Sequence, residues 1–242
     1  MRILNVSKRV LGFCLCFTVF FTAGCMYPGE RKTGGMEALP AHVDDVQRAV
    51  ERYRDDTSVL PIKTVEADTP LYQKYVVDFG RLIPQYVSDA PPSAFEKGGS
   101  FMYVLLEVEN NPTVKLFDLR VSDAVQKVQQ EVDRYRDKQN RLPQGGELSP
   151  GVFVLDDAAV RAARQPIPSP YSEELTLPFL IDSSGTVYVD YRGDLTRLVQ
   201  KLDTQPPAKK DIRYLLTNDS LFVPAHSLPY KVEQGEVVPY SQ

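Results

Sequence analysis

Residues Val46 to Pro61 and Val128 to Pro143 are one sixteen-residue segment written twice, 82 positions apart, with nine identities. The shared residues are Val46/Val128, Gln47/Gln129, Val50/Val132, Arg52/Arg134, Tyr53/Tyr135, Arg54/Arg136, Asp55/Asp137, Leu60/Leu142 and Pro61/Pro143. A chain that repeats a segment in this way has to bury the same face twice, and that requirement restricts its architecture more than composition does. Val43, Val46, Val50 and Tyr53 share one helical face, as do Val121, Val125, Val128, Val132 and Tyr135, so each copy is predicted to be an amphipathic helix. Both copies then pass through polar residues to Leu-Pro. Proline drives the residue before it out of helical geometry, so each chain should turn back there. Tyr53 and Tyr135 are expected to pack at those ends.

The resemblance continues past the helices. Tyr75-Val76-Val77-Asp78 and Phe153-Val154-Leu155-Asp156 are short apolar runs closed by an acid. Each half then offers a hairpin, Phe101 to Val108 with Val114 to Asp118, and Leu175 to Ile181 with Thr186 to Tyr191. The second turn, Asp182-Ser183-Ser184-Gly185, is the stronger signal because glycine accepts positive φ. Two more hairpins are expected around Asn218-Asp219-Ser220 and Glu233-Gln234-Gly235, beyond a boundary at Pro206-Pro207. The fold class is therefore α+β, a tandem duplication of helix, extended segment and antiparallel hairpin. Its units are a first repeat over 42–120, a second over 121–205 and a carboxyl-terminal region over 206–242.

The amino-terminal 24 residues read as a leader. Arg2, Lys8 and Arg9 precede an uncharged run from Val10 to Phe21, which is shorter than the roughly 20 apolar residues a bilayer span needs. Thr22-Ala23-Gly24-Cys25 closes the run with small residues before a cysteine, the pattern that permits cleavage and acylation of the new amino-terminal residue. Cys25 is thus the expected lipidation site. Diacylation would make the anchor stable where one chain alone would not. Residues 25–41, rich in Gly, Pro and charge, are expected to be a tether. Cys14 and Cys16 lie in the leader, so the mature chain would hold Cys25 alone and no internal disulfide. Loss of the leader's three basic residues takes the net charge from −4 to about −7, a balance that argues against nucleic acid and against a polybasic membrane patch.

The lipobox, with Met26-Tyr27-Pro28 after it and the stretch from Ala67-Asp68-Thr69-Pro70 to Asp78-Phe79, resembles the envelope lipoproteins of Gram-positive bacilli. That resemblance implies a diacylated Cys25 at the outer face of the cytoplasmic membrane and implies no known activity. Thr22 departs from the usual leucine three residues before the cysteine. The order helix, Tyr53 with Leu60-Pro61, Tyr135 with Leu142-Pro143, then Gly98-Gly99 and a strand, is similar to the soluble heads of type II secretion pseudopilins. No prepilin cleavage site or long apolar first helix accompanies it, so the similarity implies architecture and not function.

Residues with chemical potential are few. His42 and His226 have no partner at metal-ligand spacing, and a nucleophile at His226 would need a Ser or Thr brought there by the fold, since Ser227 is merely adjacent. His226 is read as a surface residue. Glu107 and Glu109 should share a strand face, as paired acids for catalysis or, the reading preferred, as a solvated face. Asp156-Asp157 and Asp190 to Asp194 lack the spacing of a calcium loop. Gly98-Gly99-Ser100 follows Lys97 rather than preceding a lysine, so it is read as a turn and not a phosphate cradle. Tyr72, Tyr75, Tyr86, Tyr171, Tyr188, Tyr191, Tyr214 and Tyr230 are expected to pack mostly half-buried, with some available for a contact surface. No catalytic residue, metal or cofactor is assigned. The expectation is a non-enzymatic lipoprotein that binds an envelope protein. Alternatives are a solute-binding lipoprotein serving a transporter, with its pocket between the repeats, and a carboxylate-dependent hydrolase.

Overall fold

Two long amphipathic helices each carry a hairpin, and a short carboxyl-terminal segment bridges the hairpins. The computed structural model describes residues 34–207 and 210–241. The chain divides into Met1–Ala38, of which a one-turn helix α1 (Gly34–Glu37) is described, and Leu39–Gln242. Helix α2 (Leu39–Thr57) buries Leu39, Val43, Val46, Ala49 and Val50. Leu39 is only 1% exposed, so the expected tether over 25–41 ends earlier than its composition suggests: its last residues are already helical and packed. Among the described residues no helix is long and apolar enough to cross a membrane.

After a one-turn helix α3 (Phe79–Leu82), strands β1 (Phe101–Leu106) and β2 (Thr113–Asp118) form the first hairpin. Helix α4 (Leu119–Gln139) follows and buries Val121, Val125, Val128 and Val132. The second half is a four-stranded antiparallel sheet in the order β3-β4-β7-β8, made of Gln144–Ser149, Val152–Leu155, Phe179–Asp182 and Val187–Val189. Within it a two-residue pair, β5 (Ile167–Pro168) with β6 (Thr176–Leu177), occupies the connection. The second hairpin is therefore shorter than expected, because Thr176 and Leu177 pair with Pro168 and Ile167 and not with β8. Helices α5 (Arg192–Val199) and α6 (Tyr214–Asn218) precede the last hairpin, β9 (Tyr230–Glu233) and β10 (Glu236–Pro239). The hairpin expected around Asn218-Asp219-Ser220 does not form. Leu215 and Leu216 donate backbone bonds to Ile212 and Arg213, so that stretch is helical.

The same contacts occur in both halves. Gln47 donates to the Pro112 carbonyl at 3.0 Å and accepts from Val114 N–H at 2.7 Å, while Gln129 donates to Gly185 and accepts from Val187, both at 2.8 Å. Helix ends correspond as well. Ser58 and Asn140 are left-handed, with φ of 59° and 50°, and their N–H groups bond Arg54 and Arg136 carbonyls at 2.8 Å. Such a left-handed cap satisfies an orphan carbonyl and stops the helix, so the stop comes before the Leu-Pro pair to which sequence assigns it. Beyond it, Pro61 and Pro143 carbonyls accept from Asp78 and Asp156 N–H at 2.7 and 2.9 Å. Gly185, at φ 93°, has room for no side chain: a Cβ would lie 2.9 Å from Leu142.

Two large apolar cores result, beside a small cluster of Val152, Leu180 and Leu228. One joins α2 to β1 and β2 through Phe101, Tyr103, Leu105, Val114 and Leu116. The other joins α4 to β4, β7 and β8, and also receives Val104 and Phe117 from the first hairpin. Because strand side chains alternate in direction, β1 and β2 contribute to both. The segment Leu221–Ser227 completes the arrangement. Leu116 N–H donates to the Leu221 carbonyl at 2.7 Å, Val223 N–H to the Leu116 carbonyl at 3.0 Å, and Val189 N–H to the His226 carbonyl at 2.9 Å. Phe222 enters the first core, and Val223 and Ala225 the second.

Replacing Gln129 by Leu leaves a backbone N–H and carbonyl of the second hairpin turn without partners, which costs about 2 kcal/mol; Gln47→Leu should cost a similar amount in the first half. A urea titration checks this: both midpoints should fall with unchanged slope.

Candidate interaction site

Most side chains with chemical potential are engaged in holding the carboxyl-terminal segment. Tyr191 Oη donates to the Ala225 carbonyl at 2.9 Å and Tyr171 Oη to the Phe222 carbonyl at 3.4 Å. Arg213 donates to the Ser227 carbonyl at 3.0 Å and lies over the Tyr72 ring. Lys115 Nζ donates to the Thr217 and Ser220 carbonyls at 2.7 and 2.6 Å, and burial lowers its pKa. Burial pushes the Tyr72 phenol up to about 12 and raises Tyr171, Tyr191 and Tyr230 well above the ordinary value. These phenols stay neutral; Tyr171, Tyr191 and Tyr230 donate hydrogen bonds, and Tyr72 lies under the Arg213 guanidinium. Of the eight tyrosines singled out in the sequence, these four form a buried brace rather than a contact surface.

The acids are accounted for in a similar way. Asp118, Asp190 and Asp211 each accept the N–H two residues on and chelate the guanidinium of that residue, Arg120, Arg192 or Arg213. This recurring Asp-x-Arg clamp, visible three times in the sequence, went unread there. Asp194 is 3% exposed, accepts from Ser169 Oγ at 2.9 Å through one oxygen and has no donor for the other; burial raises its pKa. Asp156 caps a turn at Ala158 N–H. Glu107 and Glu109 do not share a strand face, because β1 ends at Leu106 and Glu107 turns the chain at φ 51°. Gly98 and Gly99 form a tight turn. At φ 77° Gly98 ends a short 3-10 turn, and a Cβ on Gly99 would lie 2.2 Å from Ser93. Among the described residues no group of three or more His, Cys, Asp or Glu is arranged to hold a metal ion. Cys25 lies outside the described residues.

Both histidines are bonded to serines. His42 Nδ1 lies 3.0 Å from Ser93 Oγ. His226, expected at the surface, is half-buried: its Nε2 is 2.9 Å from Ser122 Oγ, its ring faces Phe117 and its backbone sits at φ 53°. The fold thus brings Ser122, from α4, to His226, and adjacent Ser227 bonds elsewhere. Among the described residues no carboxylate bonds the other ring nitrogen, so the pair lacks the orienting acid of a catalytic triad.

An open concavity lies elsewhere, where the end of β3 meets the β9–β10 hairpin. It measures about 350 Å³ and is lined by Leu148, Ser149, Pro150, Glu233, Gln234, Glu236 and Val238. Ser149 Oγ is buried there without a partner. Lys231 pairs with Glu233 at 2.9 Å. The hairpin that forms the second wall turns through Gln234 and Gly235 at φ 51° and 87°. Leu148, Pro150 and Val238 supply apolar surface, and the glutamates make the rim acidic. Sequence reasoning identified the Glu233-Gln234-Gly235 turn but not its meeting with β3, which depends on tertiary packing.

Burial lowers the His226 pKa below the ordinary value of about 6.5. The unfolded chain then binds a proton that the folded chain refuses. Stability contributed here is full above about pH 6.5 and falls as pH drops toward the folded-state value. Thermal melting at pH 7.5 and 5.0 should show a larger acid-induced loss in the native protein than in His226→Gln.

Residues 40–118, the stretch from α2 through β2, match the family model of the YphF family N-terminal domain. No curated protein and no solved structure matches the chain. The chain is thus similar to that family over its first helix-and-hairpin unit.

Proposed function

We propose that the protein is an extracytoplasmic lipoprotein, anchored in the cell membrane through acylated Cys25, whose α+β head arose by tandem duplication and works by binding an envelope protein. The observation that carries this reading is the sequence Ala23-Gly24-Cys25 at the end of a short apolar run, which suits cleavage and lipid attachment. The head's internal engagement supports a binding role. Buried Asp118 and Asp190 are tied into Asp-x-Arg clamps and Tyr171 and Tyr191 brace backbone carbonyls, while the groove beside β3 stays open. The lipobox and its following residues place the chain, on this reading, with the envelope lipoproteins of Gram-positive bacilli. The likeness to pseudopilin heads gains no support from solved structures.

A second reading, a receptor for a small solute delivered to a transporter, has one observation in its favour. The groove's volume of about 350 Å³ lies within the range of small-ligand pockets, roughly 300–1,000 Å³. It lies at one end of the second half and not between the repeats.

Growth with an alkyne fatty acid, followed by fluorophore coupling and membrane fractionation, tests the anchor. The native protein should carry label and sediment with membranes. Cys25→Ser should lose the label and leave the membrane fraction, and an unlabelled native protein would refute the anchor.

A further inference from the structure

We infer that the groove is the end of a strand-docking site, in which an extended segment of the partner pairs with the free edge of β3 and places a lysine or arginine between Glu233 and Glu236. The inference rests on the binding role proposed above and names the chemistry of the partner.

The two edges of the four-stranded sheet differ. The β8 edge is occupied, since Val189 donates to His226 of the carboxyl-terminal segment. The β3 edge is not: among the described residues no backbone group of Gln144–Ser149 bonds anything beyond β4. Gln144 to Glu147 are all exposed. The corresponding edge of the first half is a single bridge, Ile62 with Val77, so only the second half extends a strand here. Protein edges are commonly guarded by lysine, proline or a covering element, and β3 contains neither lysine nor proline. What it has is an irregular register, with shifts between Gln144 and Glu147 and between Glu147 and Ser149. Such bulges twist an edge away from long, flat pairing. They leave room for a short segment and discourage indiscriminate association.

Strand addition draws affinity from the main chain and specificity from pockets that receive alternate side chains. The groove supplies such a pocket at the end of β3. Leu148, Pro150 and Val238 can cover a side chain's methylenes. Charge selects the side chain. Lys231 is paired with Glu233, while Glu236 has no ion pair among the described residues. The rim therefore has more negative than positive charge, and a long cationic side chain fits it best.

The test uses the full-length protein in neutral maltoside detergent and two fluorescent, capped hexapeptides, alternating Val-Lys and alternating Val-Glu, with binding read as anisotropy. The Val-Lys peptide should bind and the Val-Glu peptide should not. Glu233→Gln with Glu236→Gln should weaken Val-Lys binding at least tenfold, and so should Gly146→Pro, which puts a proline ring on the exposed β3 edge. Circular dichroism melting of the variants establishes that they fold. Equal binding of the two peptides, native-like binding by the folded double variant, no binding of either peptide, or complete competition by lysine amide at peptide concentrations would each overturn the inference. Loss of fatty-acid labelling would instead refute the anchor while leaving these binding results standing.

Discussion

The fold depends on one short extended segment that forms an isolated parallel bridge to each hairpin. Leu221–Ser227 bonds Leu116 of the first hairpin and Val189 of the second, and these residues hold equivalent places in the two halves. Neither core is complete without it. Phe222 is 8% exposed in the core built on α2, and Val223 is 2% exposed in the core built on α4. Phe222 and Val223, adjacent in the segment, enter opposite cores, so seven residues join two helix–hairpin units that would otherwise present open sheet edges to solvent. Tyr171, Tyr191, Arg213 and Lys115 all converge on carbonyls in or beside this segment. The polar brace thereby satisfies acceptors that burial would leave costly.

The Asp-x-Arg clamp explains how the head tolerates buried acids. Asp190 is 4% exposed, and an isolated ionised carboxylate at that depth would be strongly unfavourable. Accepting the N–H and the two-pronged guanidinium of the residue two positions on supplies a hydrogen bond and a counter-charge from local sequence, and at Asp118 the same N–H bond caps α4. Asp118 and Asp211 repeat the arrangement. Asp194 is the exception, with one oxygen unsatisfied, and its raised pKa is the physical response.

Periodic features were legible in the sequence and long-range ones were not. The valine stripes of α2 and α4 announced both helices and the faces they bury, because 3.6-residue spacing is a local property. Gln47 and Gln129 were identical residues at matched positions, yet their task of holding a hairpin turn some 60 residues away has no local signature. The helix ends were placed at Leu-Pro because proline is the stronger punctuation, whereas Ser58 and Asn140 stop the helices first by adopting left-handed backbone. Around Asn218 a turn-rich composition suggested a hairpin, but Leu216, buried against the second core, favours a helical turn. The groove was invisible for a simple reason: its two walls, near Ser149 and Glu236, are separated by most of the second half of the chain.

The bridge between Leu116 and Phe222 joins residues 106 positions apart, and the partner lies close to the carboxyl terminus. A chain made from its amino end exposes the first hairpin long before the segment that closes it exists. Such non-local pairings form late, and unpaired edges are exposed in the interval. The two halves are therefore not separable beads that fold in turn. Each waits for the same final stretch of polypeptide, and a chain stopped at Pro207 would end with the outer edges of both β2 and β8 still unpaired.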